Sequence, residues 1–257
     1  MTQTRSASQR LGAWRAGDHP GQRQFATLFS TAPLQLESGE PFGPITLAYE
    51  TWGSLNIERS NAILLLHGFS GDSHAAGPEG PGHPTPGWWD GLIGPGLAID
   101  TNRFFVICPN AFGSCHGSTG PASLAPDGRP YGSRFPAITI RDMVAAEQAL
   151  AASLGLDRWC AVIGGSMGGM RALEWAVSWA DRIERLLLMA TGAYATAEQI
   201  ALHATQIRAI ELDPLYRNGD YPLHGPQPLQ GLTLARSIAQ ITYGSERDLA
   251  TTFHRRP

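Results

Sequence analysis

The apolar positions of this chain change period several times, and each change predicts an element. ITLAYETWG (Ile45–Gly53) alternates closely enough for a strand that turns at Gly53. NAILLLH (Asn61–His67) is a short unbroken apolar run between turn-forming residues, the pattern of a strand buried on both faces. RFFVIC (Arg103–Cys108), WCAVI (Trp159–Ile163) and Ile183–Met189 read as further strands. Elsewhere the period lengthens. Ile140, Met143, Val144, Leu150, Ala151 and Leu154 share one face at helical spacing, which predicts a helix over Thr139–Gly155. Thr139 with Asp142 three residues later resembles a capping box, and Gly155 suits the C-terminal cap. Glu147 interrupts the stripe, so the middle turn either reaches solvent or meets a polar partner. Met167–Ala180 predicts a second helix.

Strands alternating with helices of this length predict a mostly parallel sheet covered by helices on both faces. Beyond Thr191 the strands stop, and Ala195–Glu211 and Gln230–Tyr243 read as a helical appendage. The expected division is 1–43 as an N-terminal arm or edge strands, 44–194 as an α/β core, and 195–257 as a helical lid. A Gly/Pro-rich stretch after Phe69 is too irregular for a helix. With Trp88, Trp89 and Leu92 it is also too apolar for a solvated linker. Long ordered loops of this kind commonly carry function.

Composition narrows the chemistry. At 257 residues, 42% apolar and 16% charged, the chain can bury a sizeable core. A net charge of −3 leaves no footprint for nucleic acid or an anionic membrane. All nineteen basic residues are Arg. Without Lys there is no Schiff-base lysine and no phosphate-loop lysine. Three Cys (Cys108, Cys115, Cys160) without metal-like spacing point to a reduced, cytoplasmic protein. The polar start has no signal-peptide core, and no run approaches the roughly eighteen apolar residues of a membrane span.

Gly164-Gly165-Ser166-Met167-Gly168 is a G-x-S-x-G lying where a predicted strand ends and a predicted helix begins. A nucleophile elbow must lie at such a turn, because the sharp bend strains the serine backbone and needs small neighbours two residues either side. His67-Gly68-Phe69 follows the Asn61–His67 strand, the place from which a backbone N–H joins an oxyanion hole. The two donors are therefore assigned to Phe69 and Met167. His67 itself reads as a loop-shaping residue ahead of a catalytic one.

YETWGSLN, LLHGFSGDSHAAGPEGPGHPTPGWWDGLIGPGLAIDTNRFFVICPN, GSTGPASLAPDGRPYGSRFP and VIGGSMGGMRALEWA together resemble the homoserine O-acetyltransferases, α/β-hydrolase-fold acyltransferases of methionine biosynthesis. The resemblance runs from Tyr49 to Phe253. It implies an α/β-hydrolase fold with a helical lid and a ping-pong reaction in which acetyl-CoA, a co-substrate rather than a bound cofactor, acylates Ser166. The hydroxyl of L-homoserine then takes the acetyl group. It also implies a homodimer built through the appendage, and gives Arg236 the role of holding the amino-acid substrate. A guanidinium fork suits a carboxylate.

A serine needs a base and an acid to orient it, in the order Ser, Asp, His for this fold. After Ser166 the chain offers Asp181, Asp213, Asp220 and Asp248, none ending a strand-like run, and His203, His224 and His254. The expectation is therefore a C-terminally truncated chain that lacks the last strands with the triad Asp and His, and so is inactive and poorly soluble alone. His67, Asp72, His74 and His83 match no standard metal spacing, so no metal is expected. Cys115-His116 places adjacent side chains apart, and Trp88 and Trp89 more readily pack the loop than stack a base. The other readings are a family variant using succinyl-CoA or serine, an esterase on the same fold, and a non-enzymatic remnant.

Overall fold

The computed structural model describes residues 13–222 and 225–254. They fall into two compact units, 13–131 with 135–193, and 132–134 with the described residues from 194 onward.

The first unit is built on a six-stranded sheet. Its strands are β1 (Gln24–Leu28), β2 (Ile45–Trp52), β3 (Ala62–Leu66), β4 (Phe105–Pro109), β5 (Ala161–Gly165) and β6 (Leu186–Met189), in the spatial order β1-β2-β4-β3-β5-β6. Strands β4, β3, β5 and β6 run parallel, while β2 pairs antiparallel with both β1 and β4. The sheet is thus mostly parallel, with antiparallel strands at one side.

Strand β3 is buried at all five positions, which explains its unbroken apolar run. Leu64 and Leu66 face one way with Ile107 and Val162, packed by Val144 and Leu150 of α1 (Ile140–Ser153) and Ala172 and Trp175 of α2 (Met167–Ser178). Ile63 and Leu65 face the other way with Val106, Cys108 and Ile163. The expectation of helices on both faces is corrected here. Among the described residues of this unit, both α-helices lie on the first face, and the second is covered by the irregular loop through Ala75, Ala76, Trp88, Trp89 and Ile93. The Gly and Pro of that loop cost too much as helix interior. Tryptophans supply the cover instead, Trp88 anchored by its Nε1–H donated to the Asp72 carbonyl at 2.9 Å.

Local signals acted where expected. Thr139 accepts the Asp142 N–H and the Asp142 carboxylate accepts the Thr139 N–H, a closed capping box, while Gly155 takes φ +67° just past the helix. Glu147 does not reach solvent; it is buried with a polar partner. Helix α2 stops at Ser178, short of Ala180, and β5 begins at Ala161, after Trp159 has bridged to Ile183. At the edge, β6 pairs only with β5 among the described residues, leaving Leu186 and Leu187 38% and 51% exposed.

The second unit contains α3 (Ala197–Glu211), α4 (Leu229–Tyr243) and α5 (Glu246–Phe253), the last not anticipated from the pattern. Glycine lets α4 approach α3 closely: a Cβ on Gly231 would lie 2.6 Å from the Ala209 carbonyl oxygen.

Candidate active site

Ser166 stands between β5 and α2 at φ 54°, ψ −123°, outside the regions a non-glycine residue adopts without strain. Neighbouring groups over-determine that conformation. The Ser166 N–H donates to the Met189 carbonyl at the end of β6, and the Thr191 hydroxyl donates to the Ser166 carbonyl. The glycine spacing has a steric cause. A Cβ on Gly164 would lie 2.1 Å from the Gly168 carbonyl oxygen, and one on Gly168 would lie 2.0 Å from the Leu66 carbonyl oxygen. Only bare backbone lets α2 start so close to the end of β3. The serine is left exposed, at the positive end of α2.

The β3 end supplies the second half of the site. Gly68 is close-packed beneath the turn, its would-be Cβ 3.6 Å from the Ser166 Cβ. Phe69 follows with its side chain 82% exposed. Met167 opens α2. Among the described residues, neither the Phe69 N–H nor the Met167 N–H donates to another protein group, so both remain available to an incoming oxygen. His67 is fully buried behind them. Its Nε2 accepts the Ala111 N–H at 3.0 Å, which puts the proton on Nδ1, 2.8 Å from the Gly68 carbonyl. Both ring nitrogens are occupied. Burial first, and the charge of Arg171 second, push its pKa down to about 3. His67 is therefore a neutral brace for the loop.

Beneath the turn lies a buried ion pair that sequence reading missed. Arg171 of α2 donates from Nε to Glu147 Oε1 of α1 at 2.6 Å, and Trp175 Nε1 donates to Glu147 Oε2 at 2.8 Å. Arg171 Nη1 reaches the His67 carbonyl at 3.4 Å. The signal was present as two opposite charges, each standing within an otherwise apolar helix face.

No side chain among the described residues hydrogen-bonds the Ser166 hydroxyl. The later carboxylates have other work within the helical unit. Asp213 accepts from the Gly231 and Leu215 N–H groups, Asp220 from Ser133, and Asp248 caps α5 with Ser245. These hydrogen bonds hold all three below the usual aspartate range. Asp181 is exposed on a short 3₁₀ turn, His203 is exposed on α3, and His254 ends α5. His224 lies outside the described residues. Arg236 is half-buried on α4.

Of the four loop residues weighed for a metal, His67 and Asp72 lie apart, while His74 and His83 stay together. His67 braces the turn. Asp72 pairs with Arg23 at 3.1 Å and faces His116 at 4.0 Å. His74 and His83 meet Glu50 of β2, another residue the sequence did not connect to them. Glu50 accepts from His74 Nδ1 and the Ser73 hydroxyl, each at 2.9 Å. The two imidazoles stack with centroids 3.7 Å apart and planes 12° apart. In-plane lone pairs of stacked rings cannot converge on one ion at about 2 Å, and His83 Nε2 already accepts the Gln22 N–H. Burial pushes His83 down to about 4. For His74, burial is outweighed by the hydrogen bond and charge of Glu50, and its pKa rises. The trio clamps the loop to the sheet.

An α/β-hydrolase-fold family model matches residues 61–255. A homoserine O-acetyltransferase of Thermobifida fusca is 58% identical over 247 residues, covering 96% of this chain and 65% of that protein. Among solved structures, an esterase superposes with a TM-score of 0.81 at 35% identity, over 90% of this chain and 64% of its own. A homoserine O-acetyltransferase from Bacillus anthracis gives a TM-score of 0.81 at 37% identity, over 90% and 62%. The chain thus spans just under two thirds of the relatives it matches.

Proposed function

Because the chain belongs to the α/β-hydrolase fold family, we propose that Ser166 is an acyl-transfer nucleophile and the protein a homoserine O-acetyltransferase of methionine biosynthesis. One observation carries the chemistry: a serine held at φ 54°, ψ −123° on a strand-to-helix turn, beside two uncommitted N–H groups. The substrate assignment is supported by the 58% identity to a protein of that name.

In the first half-reaction Ser166 Oγ loses its proton to a base and attacks the thioester carbonyl of acetyl-CoA. The Phe69 and Met167 N–H groups hold the oxyanion. Collapse breaks the C–S bond, CoA leaves with the proton, and an acetyl ester remains on Ser166. In the second, the side-chain hydroxyl of homoserine gives its proton to the base and attacks that ester. The Ser166 oxygen departs and recovers the proton. Among the described residues no side chain hydrogen-bonds the Ser166 hydroxyl. Arg236 holds the homoserine carboxylate in a bidentate pair. The apolar exposed positions Ile200, Ile207, Leu232, Leu234 and Ile241 of the helical unit support a homodimer. The three unpaired cysteines support a cytoplasmic location. No described helix is long and apolar enough to cross a membrane.

The test uses the protein purified from its host. Acetyl-CoA should leave one acetyl group on Ser166, discharged faster by homoserine than by serine or water, and succinyl-CoA should acylate more slowly. An acetyl-enzyme that water clears equally fast, with ester hydrolysis untouched by Arg236→Ala, would make it an esterase. No adduct on Ser166 would end the acyl-transfer reading.

A further inference from the structure

The Arg171–Glu147 pair is an unusual object. Arg171 is 0% exposed and Glu147 2%. Desolvating two charges costs so much that a buried pair is commonly no more stabilising than an apolar pair of the same volume. Net stability is therefore a weak reason for this one, and its third contact offers a better one. Arg171 lies on the same helix as Met167, one turn further on. Its Nη1 makes a long hydrogen bond, 3.4 Å, to the carbonyl of His67, two residues before Phe69. The guanidinium thus ties the element carrying one oxyanion donor to the loop carrying the other. Glu147 and Trp175 hold the guanidinium in that orientation from α1 and α2. From the other side, the His67 ring is fixed to the Ala111 N–H.

We infer that Arg171, oriented by Glu147, is a positioning residue that sets the spacing of the Phe69 and Met167 donors around the oxyanion. The inference rests on Ser166 being the nucleophile. An oxyanion hole acts only on charge that develops in the transition state, so a loosened one lowers kcat and leaves substrate binding alone. Removing one donor outright typically costs about 10²–10³ in rate; displacing one costs less.

The test compares variants of the host-purified protein on p-nitrophenyl acetate. Arg171→Lys keeps the charge beside Glu147 but loses the fork that spans to the His67 carbonyl. The double variant Arg171→Met with Glu147→Gln leaves no unpaired buried charge and keeps an acceptor for the Trp175 N–H. Both should fold, as near-UV circular dichroism will check, and both should lose about 10- to 100-fold in kcat with KM within about twofold. Wild-type kcat in either folded variant overturns the inference, as does a loss carried entirely in KM. Ser166→Ala separates the two levels. If it matches wild type, the nucleophile assignment fails and this inference with it. If it is inactive while the folded Arg171 variants keep full rate, only the positioning role fails.

Discussion

Two neighbouring glycines make a sharp stability test, because similar sequence positions meet opposite surroundings. At Gly168 an added Cβ would lie 2.0 Å from the Leu66 carbonyl oxygen and 2.8 Å from that of His67. Both obstacles are backbone, and the first belongs to the fully buried strand β3. Relief requires α2 to move off the sheet by more than 1 Å, about the shortfall from ordinary contact, so the cost belongs at or above the top of the usual overpacking range, about 3 kcal/mol. At Gly165 the nearest atom to a new Cβ is the Met189 carbonyl oxygen, at an ordinary 3.9 Å. Alanine there meets no obstruction and narrows the unfolded ensemble, a gain of about 0.5 kcal/mol. The pair Gly168→Ala and Gly165→Ala should therefore differ by about 3.5 kcal/mol, or roughly 7–14 °C in Tm for a chain of this size. Urea and thermal unfolding followed by circular dichroism will measure it. Equal stabilities, or a Gly165→Ala less stable than Gly168→Ala, would refute the claim that close approach at β3 dictates the second glycine of the motif.

The neutral His67 should give the protein an acid limb. The unfolded chain takes up a proton near pH 6.5 that the native state refuses until about 3, so stability falls as pH drops through that window. This group contributes a loss of about 1.6 kcal/mol between pH 6.5 and 5. His67→Gln should flatten that limb while lowering stability at pH 7; an unchanged pH slope in urea unfolding counts against the neutral brace. Among the described residues β6 pairs only with β5 and leaves Leu186 and Leu187 exposed, so this strand should drive self-association of residues 1–257. Leu187→Lys should lower the light scattering of the chain at equal concentration, and no change would exclude this edge as the site of association.

The strand and helix order was legible because it rests on local signals: unbroken apolar runs at β3, β4 and β5, helical spacing at α1, and the capping box at Thr139. The turn at Ser166 was legible from its glycine spacing, although only the clash at Gly164 lies between consecutive elements; the one at Gly168 is with Leu66 of β3. Helix α5 was missed, being eight residues long with a pattern too short to separate from a loop. Coverage of the second sheet face was expected from helices, because periodicity cannot show a tryptophan-bearing loop folding back onto strands.

The sequence by itself determined which segments become strands and helices, where the chain turns sharply, and which residue that turn presents. Tertiary structure alone decided that Glu147 meets Arg171 and that Glu50 meets His74 and His83. Each of those charges looked like an interruption or an isolated polar residue in its own segment. Their partners lie on other elements, 24 residues away for Arg171 and His74. A buried charge is tolerable only once packing has brought such a partner within reach, and local pattern carries no information about that distance.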